Sequence, residues 1–179
     1  MIKSIQTAKG AIVIREAHLA DAKQFRELRL FALQDSPTAF SADYQIVFDL
    51  PMSYWNDRLK PDVNGTMFFA ENDSKLAGMV GIRRGESPKT KHGAGIWGVF
   101  IHPKWRGLRI AEKMLETCCE WAKMHDIQIV RLAVVSTNKS AIRLYERCKF
   151  SIYGTESRAL LHENRYYDEF LMFRSIDAS

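Results

Sequence analysis

An apolar run ends at Pro103, a short basic turn follows, and an amphipathic segment then opens on Arg106-Gly107. The order Val99-Phe100-Ile101, His102-Pro103-Lys104-Trp105, Arg106-Gly107-Leu108-Arg109-Ile110-Ala111 predicts a strand that feeds a helix through a tight turn. A turn of this kind leaves the first N–H groups of the helix without intrahelical acceptors, and the helix dipole adds positive potential there. The amides from Gly107 through Glu112 therefore suit a phosphate or pyrophosphate. The strand that leads in is placed to hold the rest of an extended ligand. A plain core strand and a structural turn would be written in the same letters. By itself the segment therefore restricts the fold more than the function.

A second segment adds to the first. The apolar run Val130-Arg131-Leu132-Ala133-Val134-Val135 is followed by Ser136-Thr137-Asn138 and then Ala141-Ile142-Arg143-Leu144-Tyr145. Asn138 reads as a helix N-cap, with Ser140 close behind it, and Tyr145 as a half-buried helix aromatic. Together the two segments resemble motifs A and B of the GNAT (Gcn5-related N-acetyltransferase) family. Motif A is a strand, Arg/Gln-x-x-Gly-x-Gly/Ala and a helix. Arg106 and Ala111 match its ends, while Arg109 stands at the glycine position. Motif B is a strand followed by Asn-x-x-Ala-x-x-Leu-Tyr-x-x-x-Gly-Phe. Asn138, Ala141, Leu144, Tyr145 and Phe150 fall in register, with Lys149 in place of the glycine.

The bulk properties are those of one globular domain over residues 1–179: 46% hydrophobic, 26% charged and without repeats or linkers. No run is long enough to span a bilayer, and Met1 to Gln6 lacks the apolar core of a signal peptide, so neither a membrane nor export is expected. Cys118, Cys119 and Cys148 make neither a disulfide framework nor a metal spacing, which fits a reduced, cytoplasmic chain without a metal site. The net charge of +5 is clustered at Arg83 to Lys91, His102 to Arg109 and Lys139 to Lys149. A small polyanion accounts for the two clusters that flank the motifs more economically than a nucleic acid does.

Periodicity predicts a strand over 11–16 and a helix over 21–33, then a short helix after Pro51. A hairpin follows over 66–71 and 76–83, then a strand over 95–101 and a helix over 107–124. A strand from 128, a helix from 139 and two strands over 150–157 and 165–173 complete the series. This is the element order of the GNAT fold. The resemblance thus implies a mixed α+β domain with a central, mostly antiparallel sheet splayed at an acetyl-CoA site and flanked by helices.

It also implies the reaction, transfer of an acetyl group from acetyl-CoA to a primary amine by direct attack in a ternary complex. Main-chain groups of Val99, Phe100 and Ile101 would hold the pantetheine arm. Arg106, Gly107, Leu108, Arg109, Ile110, Ala111 and Glu112 would hold the pyrophosphate. Asn138 would hold the cofactor through its amide, and Tyr145 would contact it and protonate the leaving thiolate. Arg109 is expected in the first helical turn, unstrained and free to pair with a phosphate; a left-handed backbone there would instead be strained. The general base is not legible. Glu71, His92, His162 and Asp168 qualify by type, and each also reads as a surface residue. The segment 38–60 and the loop 84–92 are expected to shape the acceptor pocket. A small-molecule amine is the expected acceptor. A protein N-terminus or lysine, a non-catalytic acyl-CoA sensor and homodimerisation stay open.

Overall fold

The structure, a computed structural model, describes residues 2–176. Its elements are β1 (Ile2–Thr7), β2 (Gly10–Glu16), α1 (Ala22–Asp35), α2 (Tyr44–Phe48), α3 (Met52–Arg58), β3 (Gly65–Asn72), β4 (Lys75–Arg84), β5 (Gly93–Ile101), α4 (Ile110–Met124), β6 (Ile129–Val135), α5 (Lys139–Arg147), β7 (Ser151–His162) and β8 (Arg165–Ser175). The strands form one sheet in the order β1-β2-β3-β4-β5-β6-β8-β7. Every pairing is antiparallel except β5 with β6. The expected mixed fold is present, with two additions. The edge strand β1 has only alternate residues half-buried, so little hydrophobic signal marks it. The five-residue α2 is capped by Asp43, whose carboxylate accepts the Ile46 N–H at 3.0 Å.

Two hydrophobic layers sandwich the sheet. Alternate residues of β3 divide between them: Met67 and Phe69 face α1 and α3, whereas Phe68 and Ala70 face α4. On the first side Phe25, Leu28 and Leu33 pack with Trp55 and Leu59. On the other, Ile110, Met114, Leu115, Cys118 and Ala122 of α4 cover Ile12, Ile14, Val80 and Ile82. Each large side chain buried this fully contributes about 1.5–3 kcal/mol relative to exposure. Asp73 and Ser74, both with positive φ, close the β3–β4 hairpin in the primed turn that matches strand twist.

The feature that makes a site lies in β5. Its parallel pairing with β6 covers only Gly93↔Ile129, Ala94↔Val130 and Gly95↔Arg131. Beyond that point the two strands part. On the other edge, the β4–β5 register slips between Met79↔Phe100 and Gly81↔Trp97. Three residue steps in β5 thus oppose two in β4, a β-bulge, and Gly98 within it has φ of +66°. The bulge also changes which way side chains point. Trp97 and Phe100, an odd number of residues apart, both join the α1–α3 layer.

Candidate active site

The gap between the ends of β5 and β6 opens into a cavity of about 460 Å³. Its walls come from Ile96–Ile101 of β5 and Leu132–Val135 of β6, from the turn and first residues of α4, from one face of α5 along its length, and from Ser36, Ala39 and Phe40 after α1. Of the residues expected to bind cofactor, Val99, Phe100, Ile101, Arg106, Gly107, Arg109, Ile110, Ala111, Glu112, Asn138 and Tyr145 all line this cavity. Leu108 does not; its side chain packs against the core beside α4.

At one end of the cavity the main chain is prepared for an anion. The first backbone hydrogen bond of α4 is donated by Lys113 N–H to the Arg109 carbonyl at 3.2 Å. The amides from Gly107 to Glu112 therefore precede the helical ladder. Gly107 has φ of +79°, and no atom lies within 4 Å of where a Cβ would stand at Gly107 or at Gly98. Both glycines present bare backbone to open space, as close approach of a ligand main chain or pyrophosphate requires.

Arg109 departs from expectation. It is not in the first helical turn; α4 begins at Ile110, and Arg109 is its N-cap with φ of 59° and ψ of 16°, the left-handed region. Its guanidinium is occupied as well, donating to both Glu112 carboxylate oxygens at 3.1 and 2.6 Å. That bond and the more distant Arg147 hold the Glu112 carboxyl below the usual carboxylate range. Arg106 is likewise turned away from the amides. Its Nε donates to the Ile101 carbonyl at 3.0 Å, and Nη2 pairs with Asp35 at the end of α1. This end of the cavity therefore presents backbone amides, while Arg106 and Arg109 brace the turn and Arg147 lines the wall beside Glu112.

Asn138 caps α5, its Oδ1 accepting the Ala141 N–H at 3.1 Å and the Ser140 hydroxyl at 2.9 Å. Both the capping and the cavity position apply to this residue. Tyr145, about two helical turns further on, is 7% exposed and stands T-shaped to Phe150 at 6.2 Å. Burial, with a smaller contribution from Cys148, raises its phenol well above the ordinary tyrosine range, so the ring stays protonated.

The expected base candidates lie elsewhere. Glu71 is bound to Arg15 between β2 and β3. His92 precedes β5, and its carbonyl accepts the N–H groups of Gln128 and Ile129 at the far end of that strand. His162 sits at the β7–β8 turn. The Asp168 carboxylate accepts the Arg158 N–H at 2.8 Å within that hairpin. A carboxylate that sequence reasoning passed over is better placed. Glu169 pairs directly with Val135, a cavity residue, so the two side chains share one face of the sheet. Glu169 is half-buried, and burial together with Glu156 directly across β7 raises its carboxyl above the usual range. Only the β6–β8 register reveals it.

A bare-backbone cradle at a helix start, a strand freed by a bulge and a protonated tyrosine share one cleft, an arrangement that suits an extended, phosphorylated ligand. The profile of the Acetyltransferase (GNAT) family matches residues 27–150, and the chain belongs to that family. It is an N-acetyltransferase with acetyl-CoA as co-substrate. It is similar to the L-amino acid N-acetyltransferase AaaT of Escherichia coli K12, 26% identical over 91% of this chain and 97% of that one. Among solved structures, a GNAT acetyltransferase from Streptococcus pneumoniae superposes with a TM-score of 0.80 at 24% identity, covering 93% of this chain and 99% of that one. The yncA protein of Salmonella typhimurium, solved with acetyl-CoA, gives 0.80 at 18% identity over 94% and 95% of the two chains.

Proposed function

We propose that the chain acetylates the primary amine of a small molecule by direct attack on the thioester of bound acetyl-CoA. The observation that supports this most is the convergence of the freed β5 backbone, the α4 amides and Tyr145 on one cavity. The likeness to an L-amino acid N-acetyltransferase over nearly the full length of both chains favours a small acceptor.

In this reading the pyrophosphate lies on the amides of Gly107 to Glu112, and the pantetheine arm completes the strand edge that β6 leaves bare beyond Gly95. A β5 N–H beside the bulge donates to the thioester oxygen as negative charge develops on it. The neutral amine attacks the carbonyl carbon; the new C–N bond forms and the C–S bond breaks. The Tyr145 hydroxyl gives its proton to the departing thiolate, a step suited to a phenol that burial keeps protonated. Glu169 takes the proton that the amine releases, directly or through water, and its raised affinity for protons matches that task. Asn138 uses its Oδ1 to cap α5, which leaves the amide nitrogen as the group it offers to the cofactor.

The test is a thermal-shift titration with CoA, followed by mass spectrometry of an amine panel incubated with acetyl-CoA. Binding to the native state raises the melting temperature, and acetylation adds one acetyl group to a responsive amine. No thermal shift at millimolar CoA, with folded protein confirmed, would remove the cofactor assignment. Acetylation confined to protein amines would remove the small-molecule one.

A further inference from the structure

Arg29, on the inner face of α1, is unlike the other arginines near the site. Its Nη1 is buried and donates to nothing. Its Cζ lies 4.4 Å from the centre of the Phe40 ring, and its charged neighbour is another cation, Arg58 at the end of α3. Burial, and then Arg58, pull the Arg29 guanidinium down to about 10. Arg58 stacks its guanidinium 4.5 Å from the centre of the Trp97 indole and donates to the Tyr54 hydroxyl at 3.2 Å. Neither forms an ion pair among the described residues. Other arginines are ion-paired: Arg15 with Asp21 and Glu71, Arg83 with Asp62 and Glu86, Arg106 with Asp35, and Arg109 with Glu112. Two guanidiniums near enough to repel, with no ion-paired carboxylate among the described residues, are costly to hold together, and an oxyanion that reaches both relieves that cost.

Their position says whose oxyanion it is. Phe40 and Trp97, the rings that the two cations cover, both line the cavity beside Gly98, where the β5 backbone is bare. Arg58 and Trp97 also border a second cavity of about 950 Å³, so Trp97 is a wall common to both. Gly81 makes room for that wall, since a Cβ there would meet the indole at 2.3 Å. The α1–α3 side of β5 thus offers aromatic walls and two cations without an ion pair among the described residues: Arg58 borders the second cavity, and Phe40 and Trp97, the rings the two cations cover, border the first.

We propose that Arg29 and Arg58 bind an oxyanion of the acceptor, the carboxylate of an amino acid, and so direct its amine toward the bulge in β5. The assignment rests on the acetyl-transfer reading above and adds the acceptor's class to it.

The test compares free L-amino acids, their carboxamides, the corresponding decarboxylated amines and aminoalkylphosphonates as acceptors. The wild-type enzyme is expected to favour acids over amides by about 100-fold or more in kcat/KM, because neutral analogues leave the guanidiniums unmatched. Arg58→Gln, a change at an exposed residue, is expected to lower kcat/KM for acids by about 10- to 100-fold and to leave amides within about twofold. Arg58→Lys should recover part of the preference, since it restores the charge without the fork. Preference for phosphonates would keep the oxyanion site and replace the carboxylate. Equal use of acids and amides would overturn the pair as a binding site while leaving acetyl transfer intact.

A second readout does not need turnover. With CoA present, N-acetyl amino acids should raise the melting temperature more than their amides do, and Arg58→Gln should abolish the difference. If that difference appears while no amine is ever acetylated, the anion site stands and the transfer reading falls.

Discussion

Arg109 holds a left-handed backbone at the start of α4 while its guanidinium clasps the Glu112 carboxylate one turn later, at 2.6 and 3.1 Å. The conformation is one that glycine adopts freely and arginine does not. The clasp, on a largely exposed side chain, offsets little of that strain.

Arg109→Gly is therefore expected to raise the melting temperature by about 2–4 °C, because it removes the strain of a side chain at positive φ. Arg109→Ala keeps the strain, loses the clasp and should melt below wild type. Calorimetry of the two variants decides it: a glycine variant that melts lower would show that the clasp outweighs the backbone.

Tyr145→Phe should reduce turnover by roughly 10- to 1,000-fold and leave acetyl-CoA affinity nearly unchanged, since in the proposed mechanism the hydroxyl acts only as the thiolate leaves. Isothermal titration alongside steady-state kinetics separates the two quantities. Full activity would make Tyr145 a packing partner of Phe150 alone.

Glu169→Gln tests the proposed base through pH. With a carboxyl raised above the usual range, wild-type kcat/KM should fall as the medium is acidified through that raised value, where the base becomes protonated. The variant should lose this acid limb and show a low rate across the range. A variant whose acid limb matches that of wild type would transfer the role to water.

Gly81→Ala should weaken acceptor binding and destabilise the fold by about 1–3 kcal/mol, because the added methyl overlaps the Trp97 indole and forces it aside. The expected signature is a raised acceptor KM with the acetyl-CoA KM unchanged. An unchanged acceptor KM would remove Trp97 from the acceptor wall.

Asp21 concerns stability alone. Its side chain, 8% exposed, receives Arg15 from β2 at 2.8 Å through both oxygens and accepts the His18 N–H at 2.7 Å. Burial pushes its carboxyl up, but the Arg15 and His18 bonds prevail and hold it below the ordinary value. The group thus stabilises the fold above its unfolded pKa, and the contribution is lost as pH falls through the lower folded value. Asp21→Asn should cost about 2–4 kcal/mol at neutral pH and flatten the acid unfolding profile below about pH 4. Urea titrations at pH 7 and pH 3 measure both effects.

The two motif segments were legible because each is local. A strand that stops at Pro103 before Arg106-Gly107, and Asn138 followed at helical spacing by Ala141 and Tyr145, depend on residues within one or two turns of one another. The order of strands and helices followed from the same periodicities, as did the α4 face formed by Leu115, Cys118 and Ala122. Other features depend on backbone geometry or on residues distant in the chain. The left-handed backbone of Arg109 is imposed by the turn it closes, whereas its letter reads as an ordinary helical residue. The bulge at Gly98 turns Trp97 and Phe100 to one side, which strict alternation would have divided. Glu169 is set beside the cavity residue Val135 by the β6–β8 register, and Arg29 comes near Arg58 only because α1 and α3 pack on the same face of the sheet. Local spacing determined the cofactor end of this protein, since backbone amides and helix caps arise from short-range geometry. Tertiary packing decided the proposed acceptor end, since the side chains assigned there to reaction and recognition come from segments that only the assembled sheet brings together.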